Sequence, residues 1–221
     1  PSVRVLACKY AINTVKVQTD VQNDSSAQAA AQIRTTVLDA EGKAVSEAVT
    51  TDVTLAANST AEKEQTLKVN KPALWSTENP NLYYVQTEVL VGGKVKDTYK
   101  TTYGFRYINF DVNTGFSLNG KNVKLKGVCM HHDQGALGAA SERDAVYRQV
   151  EKLKEMGCNA IRTSHNTPSS VLLEACNELG MMVMDETFDG WAFPKNGNSQ
   201  DFSTHFNQTI SADNKLLGAT T

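Results

Sequence analysis

The feature that most constrains the fold of this 221-residue chain is an alternation of strand-like and helix-like patterns between residues 123 and 187. Three short apolar or β-branched runs are typical of buried strands, and two longer stretches between them carry apolar residues at helical spacing. Two strand–helix–strand units of this length predict parallel strands, because parallel neighbours need a long crossover connection. In chain order the five segments are residues 123–130, 141–157, 159–164, 167–180 and 181–186.

The limits of the two predicted helices follow from capping signals. Ser141 is expected to cap the first helix, and Thr167 is expected to cap the second, with Pro168 at its first helical position. Gly157 and Gly180 are expected to end the helices, since glycine readily adopts the left-handed conformation that follows a helix. These signals predict two crossover helices of ordinary length.

Polar and charged side chains follow each predicted strand at its carboxyl end. Because the carboxyl ends of parallel strands meet at one face of the sheet, where barrels and open sheets build their sites, we expect these side chains to converge. The sequence therefore predicts one pocket rim made of residues that are remote in the chain. They are His131, His132 and Asp133 at the end of the first strand, Arg162 and His165 at the end of the second, and Asp185 and Glu186 at the end of the third.

The first hundred residues have a different pattern. Between residues 1 and 103, short segments alternate apolar and polar side chains, whereas the stretch from residue 56 to 61 is predicted to be a polar loop. Six or seven such strands predict a small antiparallel sandwich. Asn119-Gly120 predicts a two-residue hairpin turn. We place the domain boundary near Tyr107, with residues 1–106 as the sandwich and residues 107–221 as an α/β domain.

Composition and charge exclude several classes of protein. The formal net charge is −2, with 22 basic and 24 acidic residues well mixed, so the sequence predicts no nucleic-acid surface. No apolar run approaches the ~18 residues of a spanning helix, so no membrane span is expected. The cysteines and histidines show no metal-ligand spacing, and we expect no metal and no cofactor. The four cysteines are expected to be buried free thiols that act as small apolar residues.

Several motifs carry a resemblance to a known family. Two segments resemble the first signature of glycoside hydrolase family 2, the family of β-galactosidases and β-glucuronidases: Asn159-Ala-Ile-Arg162-Thr-Ser-His165 and Gly180-Met-Met-Val-Met-Asp185-Glu186. Four further segments resemble, in the family's order, the end of its immunoglobulin-like domain and the entry into its barrel: residues 74–83, 104–106, 116–121 and 126–133. The resemblance implies an immunoglobulin-like β-sandwich followed by about the first three βα units of a (β/α)8 barrel.

The resemblance also implies roles for the strand-end residues. Arg162 offers a rigid fork of donors that suits a carboxylate, and a structural ion pair with Asp185 or Glu186 is the alternative. Asp133 matches the family residue that contacts the sugar, and either His131 or His132 is expected to face the pocket. The predicted substrate-binding residues are Asp133, Arg162, His165, Asn166 and Trp191, where Trp191 is an aromatic platform or a packing residue. The predicted supporting residues are His131, His132, Asp185 and Glu186.

Neither catalytic carboxylate is expected within this chain. Asp185 and Glu186 are adjacent on a strand and therefore face opposite sides, so they cannot flank one glycosidic bond. The resemblance implies an acid/base Glu at the end of barrel strand four and a nucleophile Glu at the end of strand seven, and both are expected beyond Thr221. Two features depart from the family: the Glu-x-His magnesium ligands of some β-galactosidases are absent, and His165-Asn166-Thr167-Pro168 replaces His-Tyr-Pro.

The favoured hypothesis is a fragment of a retaining exo-β-glycosidase that hydrolyses terminal β-galactosides, with the fragment itself inactive. The expected partner is a carbohydrate, a β-galactoside, and the open edges of an incomplete barrel predict self-association. One alternative is a non-catalytic carbohydrate-binding or adhesive module, in which Trp75, Tyr83 and Tyr84 would stack on sugar rings, although packing inside the sandwich is the favoured role of Trp75. The other alternative is a β-glucuronidase parent.

Overall fold

The computed structural model describes residues 2–7 and 13–187 and divides into two compact units. The first unit contains the chain up to Lys124 together with Asn177–Gly180. The second contains Leu125–Cys176 and the chain from Met181. No helix of the described ranges is long and apolar enough to cross a membrane.

Seven antiparallel strands form the first unit's sandwich: β1 (Ser2–Ala7), β2 (Thr14–Asn23), β3 (Ala29–Leu38), β4 (Val49–Leu55), β5 (Ser59–Lys68), β6 (Tyr83–Val91) and β7 (Lys94–Tyr103). They make two sheets, in the orders β1-β2-β5 and β4-β3-β6-β7. The architecture confirms the predicted immunoglobulin-like β-sandwich. The loop predicted over residues 56–61 is wrong in part, because Ser59 already pairs with Asn23 and extends β5 along the whole of β2.

The core of the sandwich follows from the two-residue period of its strands. Val15 and Val17 of one sheet are completely buried, and they pack with Val37 and Val85 of the other. Successive side chains point to opposite faces, so the intervening residues stay partly exposed. The alternating pattern in the sequence is thus the direct cause of the two-layer fold.

A buried amide links the two sheets. Gln65 lies on β5 and is only 3% exposed. Its side-chain nitrogen donates to the carbonyl oxygen of Ile33 at 3.0 Å and to the hydroxyl of Thr51 at 3.0 Å, and its oxygen accepts from the hydroxyl of Thr35 at 2.6 Å. Buried polar groups are tolerated only when they are hydrogen-bonded, and this amide is satisfied at both ends.

Trp75 belongs to the interior of the first unit. Its side chain is 1% exposed, and its backbone nitrogen donates to the carbonyl oxygen of Phe105 at 2.8 Å. Gly104 permits this approach, because a Cβ atom there would lie 3.0 Å from Cβ of Trp75. The packing role predicted for Trp75 is confirmed, and the residue is not available as a sugar-stacking platform.

A small antiparallel sheet follows the sandwich. Its strands are β8 (Ile108–Asp111), β9 (Gly115–Leu118) and β10 (Lys121–Asn122). The turn between the last two strands is Asn119-Gly120, with φ values of 52° and 77°. Two consecutive positive φ angles are what a tight type I′ hairpin needs, so the predicted hairpin is confirmed.

The second unit begins with a parallel sheet in the order β11 (Gly127–Met130), β12 (Ala160–Thr163) and β13 (Met182–Met184). Helices α1 (Arg143–Glu155) and α2 (Ser170–Leu179) make the two crossovers, and a 3-10 turn spans Gly135–Leu137. The predicted parallel strand–helix–strand units are confirmed. Gly127 permits the close pairing of β11 with β12, because a Cβ atom at that position would overlap the backbone carbonyl of Ala160.

Both predicted helix caps are wrong. The residue before α1 is Glu142, which makes no side-chain cap hydrogen bond, so Ser141 lies one position too early to act as the cap. Ahead of α2, the Ser169 hydroxyl accepts a hydrogen bond from the backbone nitrogen of Leu172 at 3.2 Å, which places the start after Thr167. Thr167, Ser169 and Ser170 are all residue types that cap helices, so residue type alone does not select the capping position ahead of α2. Gly157 follows α1 with φ of 87°, as predicted.

We expect that Gln65→Leu lowers the free energy of unfolding of the first unit by roughly 2–4 kcal/mol, because buried partners on the other sheet lose their hydrogen bonds. The matched control is Gln18→Leu on β2, which is half-buried and lies on the opposite face from Val17. A surface change of that kind is expected to cost under about 0.5 kcal/mol. Urea unfolding measures both variants, and equal losses would contradict the role assigned to Gln65.

Candidate functional site

The candidate site is built on the cross-strand register of the parallel sheet. Cys129 pairs with Arg162, and Arg162 pairs with Met184, so these three side chains share one face of the sheet. Ile161 precedes Arg162 and is 1% exposed on the opposite face. The alternation along β12 therefore buries the apolar side chain and leaves the guanidinium on the open face.

Glu186 binds Arg162 closely. Its Oε1 accepts from Nε of Arg162 at 2.6 Å and from Nη2 at 2.5 Å. The Arg162 side chain is 40% exposed and that of Glu186 is 23% exposed. A carboxylate and a guanidinium at this distance form a charge-assisted pair, in which Glu186 rather than Asp185 is the partner.

His165 joins the same carboxylate. Its Nδ1 lies 2.9 Å from Oε2 of Glu186 and 3.4 Å from Nη2 of Arg162. The ring of His131 packs edge-on against that of His165, with ring centres 5.6 Å apart. Of the two histidines after β11, His131 is therefore the one that faces this group.

A buried threonine anchors Glu186. The backbone nitrogen of Glu186 donates to the Thr163 hydroxyl at 2.9 Å, and Thr163 is 2% exposed at the end of β12. The backbone of Glu186 is therefore tied to the central strand, and its carboxylate extends from there to Arg162 and His165. We call Arg162, His165 and Glu186 the strand-end cluster.

Asp133 has a different local environment. Its Oδ1 accepts from the backbone nitrogen of Gly135 at 2.8 Å, and its carbonyl oxygen accepts from the side chain of Gln149 at 3.2 Å. It lines a small open pocket with His132, Gln134 and other residues of the loop and helices. Within the described part of the chain, the Asp133 carboxylate contacts Gly135 rather than the strand-end cluster.

The other predicted residues separate into two groups. Asn166 and Asp185 are exposed, and the structure shows neither in contact with the strand-end cluster among its described residues. Trp191 lies outside the described residues. Residues 2–7 and 13–187, which the structure describes, contain no group of three side chains that could hold a metal ion.

The charges of the site set the pKa values of its groups. The hydrogen bond from His165, followed by those from Arg162, lowers the pKa of Glu186 below its ordinary value of 4.5. Glu186 thus stays ionised at neutral pH. Because its folded pKa is below the unfolded one, its stabilising contribution is present above the unfolded pKa and is lost as the pH falls through the folded pKa.

Cys129 is a member of the site that the sequence did not reveal. It is exposed, which corrects the prediction of a buried thiol, and its Sγ lies 3.5 Å from Nη1 of Arg162. The Ser164 hydroxyl and then the Arg162 guanidinium lower the pKa of the Cys129 thiol. Cys176 behaves as predicted, since it is buried and burial raises its pKa to about 12. The register with Arg162 is the signal that would have found Cys129.

Two family models match the chain. The model for "Glycosyl hydrolases family 2" matches residues 6–106, and the model for "Glycosyl hydrolases family 2, TIM barrel domain" matches residues 111–219. The chain belongs to glycosyl hydrolase family 2. The resemblance seen in the motifs is therefore confirmed, and the fold is the family's immunoglobulin-like sandwich followed by the start of its TIM barrel.

Relatives of this family 2 chain carry two kinds of name. A β-galactosidase of Bacteroides ovatus is 39% identical over 194 residues, which are 88% of this chain and 22% of the relative. A protein of Formosa agariphila named as a putative β-glucuronidase is 48% identical over 131 residues, 59% of this chain and 13% of the relative. The chain thus spans about a fifth or less of these relatives.

Solved structures agree with the fold. A family 2 glycosyl hydrolase of Bacteroides cellulosilyticus superimposes with a TM-score of 0.85 at 38% identity, over 93% of this chain and 26% of that protein. A β-glucuronidase of Bacteroides uniformis gives a TM-score of 0.80 at 30% identity, over 88% of this chain and 24% of that protein.

We expect iodoacetamide to alkylate Cys129 well before Cys176 at neutral pH, because the thiolate is the reactive form and Cys176 is buried with a raised pKa. Arg162→Gln is expected to slow the alkylation of Cys129, since it removes a donor to the sulfur. Arg148→Gln, at an exposed position of α1, is the matched control. Peptide mass spectrometry over time measures each site, and an unchanged rate in Arg162→Gln would contradict the contact.

Proposed function

We propose that this chain is part of a longer retaining exo-β-glycosidase that hydrolyses terminal β-galactosides, and that the strand-end cluster helps to hold the terminal sugar. The observation that carries the proposal is the convergence of Arg162, His165 and Glu186, from two strand ends, on the carboxyl face of a parallel barrel sheet. That face is where barrel enzymes build their active sites. Membership of a family of glycosyl hydrolases supports a carbohydrate substrate.

The chemistry of Glu186 supports a holding role rather than a catalytic one. A general acid needs a raised pKa, whereas the pKa of Glu186 is lowered by His165 and Arg162. Both carboxylate oxygens are already hydrogen-bonded. Retaining glycosidases also need a second carboxyl group about 5–5.5 Å away. We therefore propose that the acid/base and nucleophile carboxylates come from elsewhere in the longer protein and that this chain alone does not turn over substrate.

The charge balance of the cluster supports a neutral sugar. The positive charge of Arg162 is paired with Glu186 at 2.5 Å, so it is not left over for a uronic acid carboxylate. The β-galactosidase name of the Bacteroides ovatus relative is in line with a galactoside, whereas other relatives are named as β-glucuronidases.

We propose two further points, one on sugar contacts and one on the domain boundary, from the resemblance to the family's motifs. Asp133, Asn166 and Trp191 are proposed to complete the sugar-contacting set, with Asp133 approaching from the loop after β11. The domain boundary is proposed between residues 106 and 107. The first family match ends at residue 106 and the second begins at residue 111, which supports that division.

A chromogenic panel of β-galactoside, β-glucuronide and β-mannoside tests the proposal on the 221-residue chain and on the longer protein. We expect turnover of the β-galactoside by the longer protein and none by the chain. Arg162→Ala in the longer protein is expected to lower kcat/KM roughly 100-fold, because the sugar loses its fixed position. Arg148→Ala is the matched surface control.

Two outcomes would contradict the proposal in different ways. Turnover of β-glucuronides alone by the longer protein would overturn the choice of sugar. Turnover by the 221-residue chain that disappears in Glu186→Gln would make Glu186 catalytic and would overturn the account of the missing carboxylates.

We also propose that the 221-residue chain self-associates through the parallel sheet. Within residues 123–187, β11 and β13 each pair with only one neighbouring strand, and Met184 of β13 is 56% exposed. Unpaired strand edges and apolar side chains favour pairing with another chain. Sedimentation velocity over a concentration series is expected to show association. A monomer at all concentrations, with uniformly slow amide exchange over residues 123–187, would contradict this.

A further inference from the structure

Glu186 is the shared partner of the two candidate sugar-contacting side chains. Its two carboxylate oxygens have separate tasks: Oε1 accepts from two nitrogens of Arg162, and Oε2 faces His165. Its backbone is fixed through the buried hydroxyl of Thr163. Because Glu186 is held at its backbone and at both oxygens, it can fix the orientation of the Arg162 and His165 side chains.

The distances decide which ring nitrogen of His165 carries a hydrogen. An ionised carboxylate only accepts hydrogen bonds, so the 2.9 Å separation between Oε2 of Glu186 and Nδ1 requires a hydrogen on Nδ1. Nη2 of Arg162 lies 3.4 Å from the same Nδ1, and a hydrogen bond donated by Nη2 would require a lone pair on Nδ1. The shorter contact, to a full negative charge, is the stronger of the two. In the neutral ring, Nδ1 therefore carries the hydrogen and Nε2 carries the lone pair.

The groups that face His165 come from all three strand ends. His131 after β11 packs its ring edge-on at 5.6 Å, Arg162 of β12 lies beside Nδ1, and Glu186 follows β13. Cys129 adjoins Arg162 on the far side of the guanidinium. The carboxylate and the guanidinium balance each other in charge, so the ring is held mainly by the directed bond to Oε2.

We propose that Glu186 is a positioning residue that holds Arg162 through one oxygen and His165 through the other, so that Nε2 of neutral His165 is presented as the acceptor for a hydroxyl group of the terminal sugar. The sugar in this statement rests on the proposed function, whereas the hydrogen on Nδ1 does not.

Nitrogen NMR of the 221-residue chain labelled with 15N-histidine tests the proposal without any sugar. At a pH where the His165 ring is neutral, we expect a protonated, pyrrole-type signal from Nδ1 and an unprotonated, pyridine-type signal from Nε2. The His165→Gln spectrum identifies these signals. In Glu186→Gln we expect His165 to shift toward the form with the hydrogen on Nε2, whereas the exposed control Glu151→Gln is expected to keep the wild-type pattern.

Each result of this experiment decides the question. A wild-type His165 with its hydrogen on Nε2 would overturn the proposal, even if Glu186→Gln fails to fold. An unchanged His165 pattern in folded Glu186→Gln would overturn it as well. Glu186→Asp, which keeps the charge but shortens the side chain, is expected to give a pattern between the two.

Failure of this inference is distinguishable from failure of the proposed function. The predicted histidine form together with no glycoside turnover by the longer protein would leave the positioning role standing and overturn the enzymatic proposal. Turnover of β-galactosides together with a wild-type His165 protonated on Nε2 would do the reverse.

Discussion

The register of the three parallel strands is the constraint on which the candidate site depends. Because Cys129, Arg162 and Met184 are paired across β11, β12 and β13, their side chains lie on one face, and the residues just beyond them meet at one edge. A shift of one residue would move Arg162 to the face that buries Ile161. Burial of that apolar side chain thus fixes the position of the charged one.

Electrostatics then organises what the register brings together. Glu186 is held ionised by His165 and Arg162, which suits a residue that orients donors and does not suit a proton donor. The thiol of Cys129 lies on the other side of the same guanidinium. In the strand-end cluster, the carboxylate of Glu186 is paired with the guanidinium of Arg162 and with the ring of His165, so the cluster holds these side chains in a fixed arrangement.

The sandwich has its own hydrophobic core. Its strands bury valines from two sheets, and the amide of Gln65 joins those sheets with satisfied hydrogen bonds. Trp75, the alternative candidate for a sugar-stacking platform, is buried in that unit and packs closely against Gly104. The chain therefore combines a sandwich with its own packed core and a barrel segment that carries the strand-end polar residues.

The sequence alone determined the two-layer sandwich and the parallel strands, and it predicted that the polar residues at three strand ends converge, because side-chain period and crossover length are local properties. It did not determine that Ser169 rather than Thr167 caps α2, since serine and threonine are both common at helix caps. Only the tertiary structure decided that Glu186 rather than Asp185 pairs with Arg162, and that Cys129 is part of the site. Those contacts join residues from different strands, and their distances depend on register and twist, which no local pattern specifies.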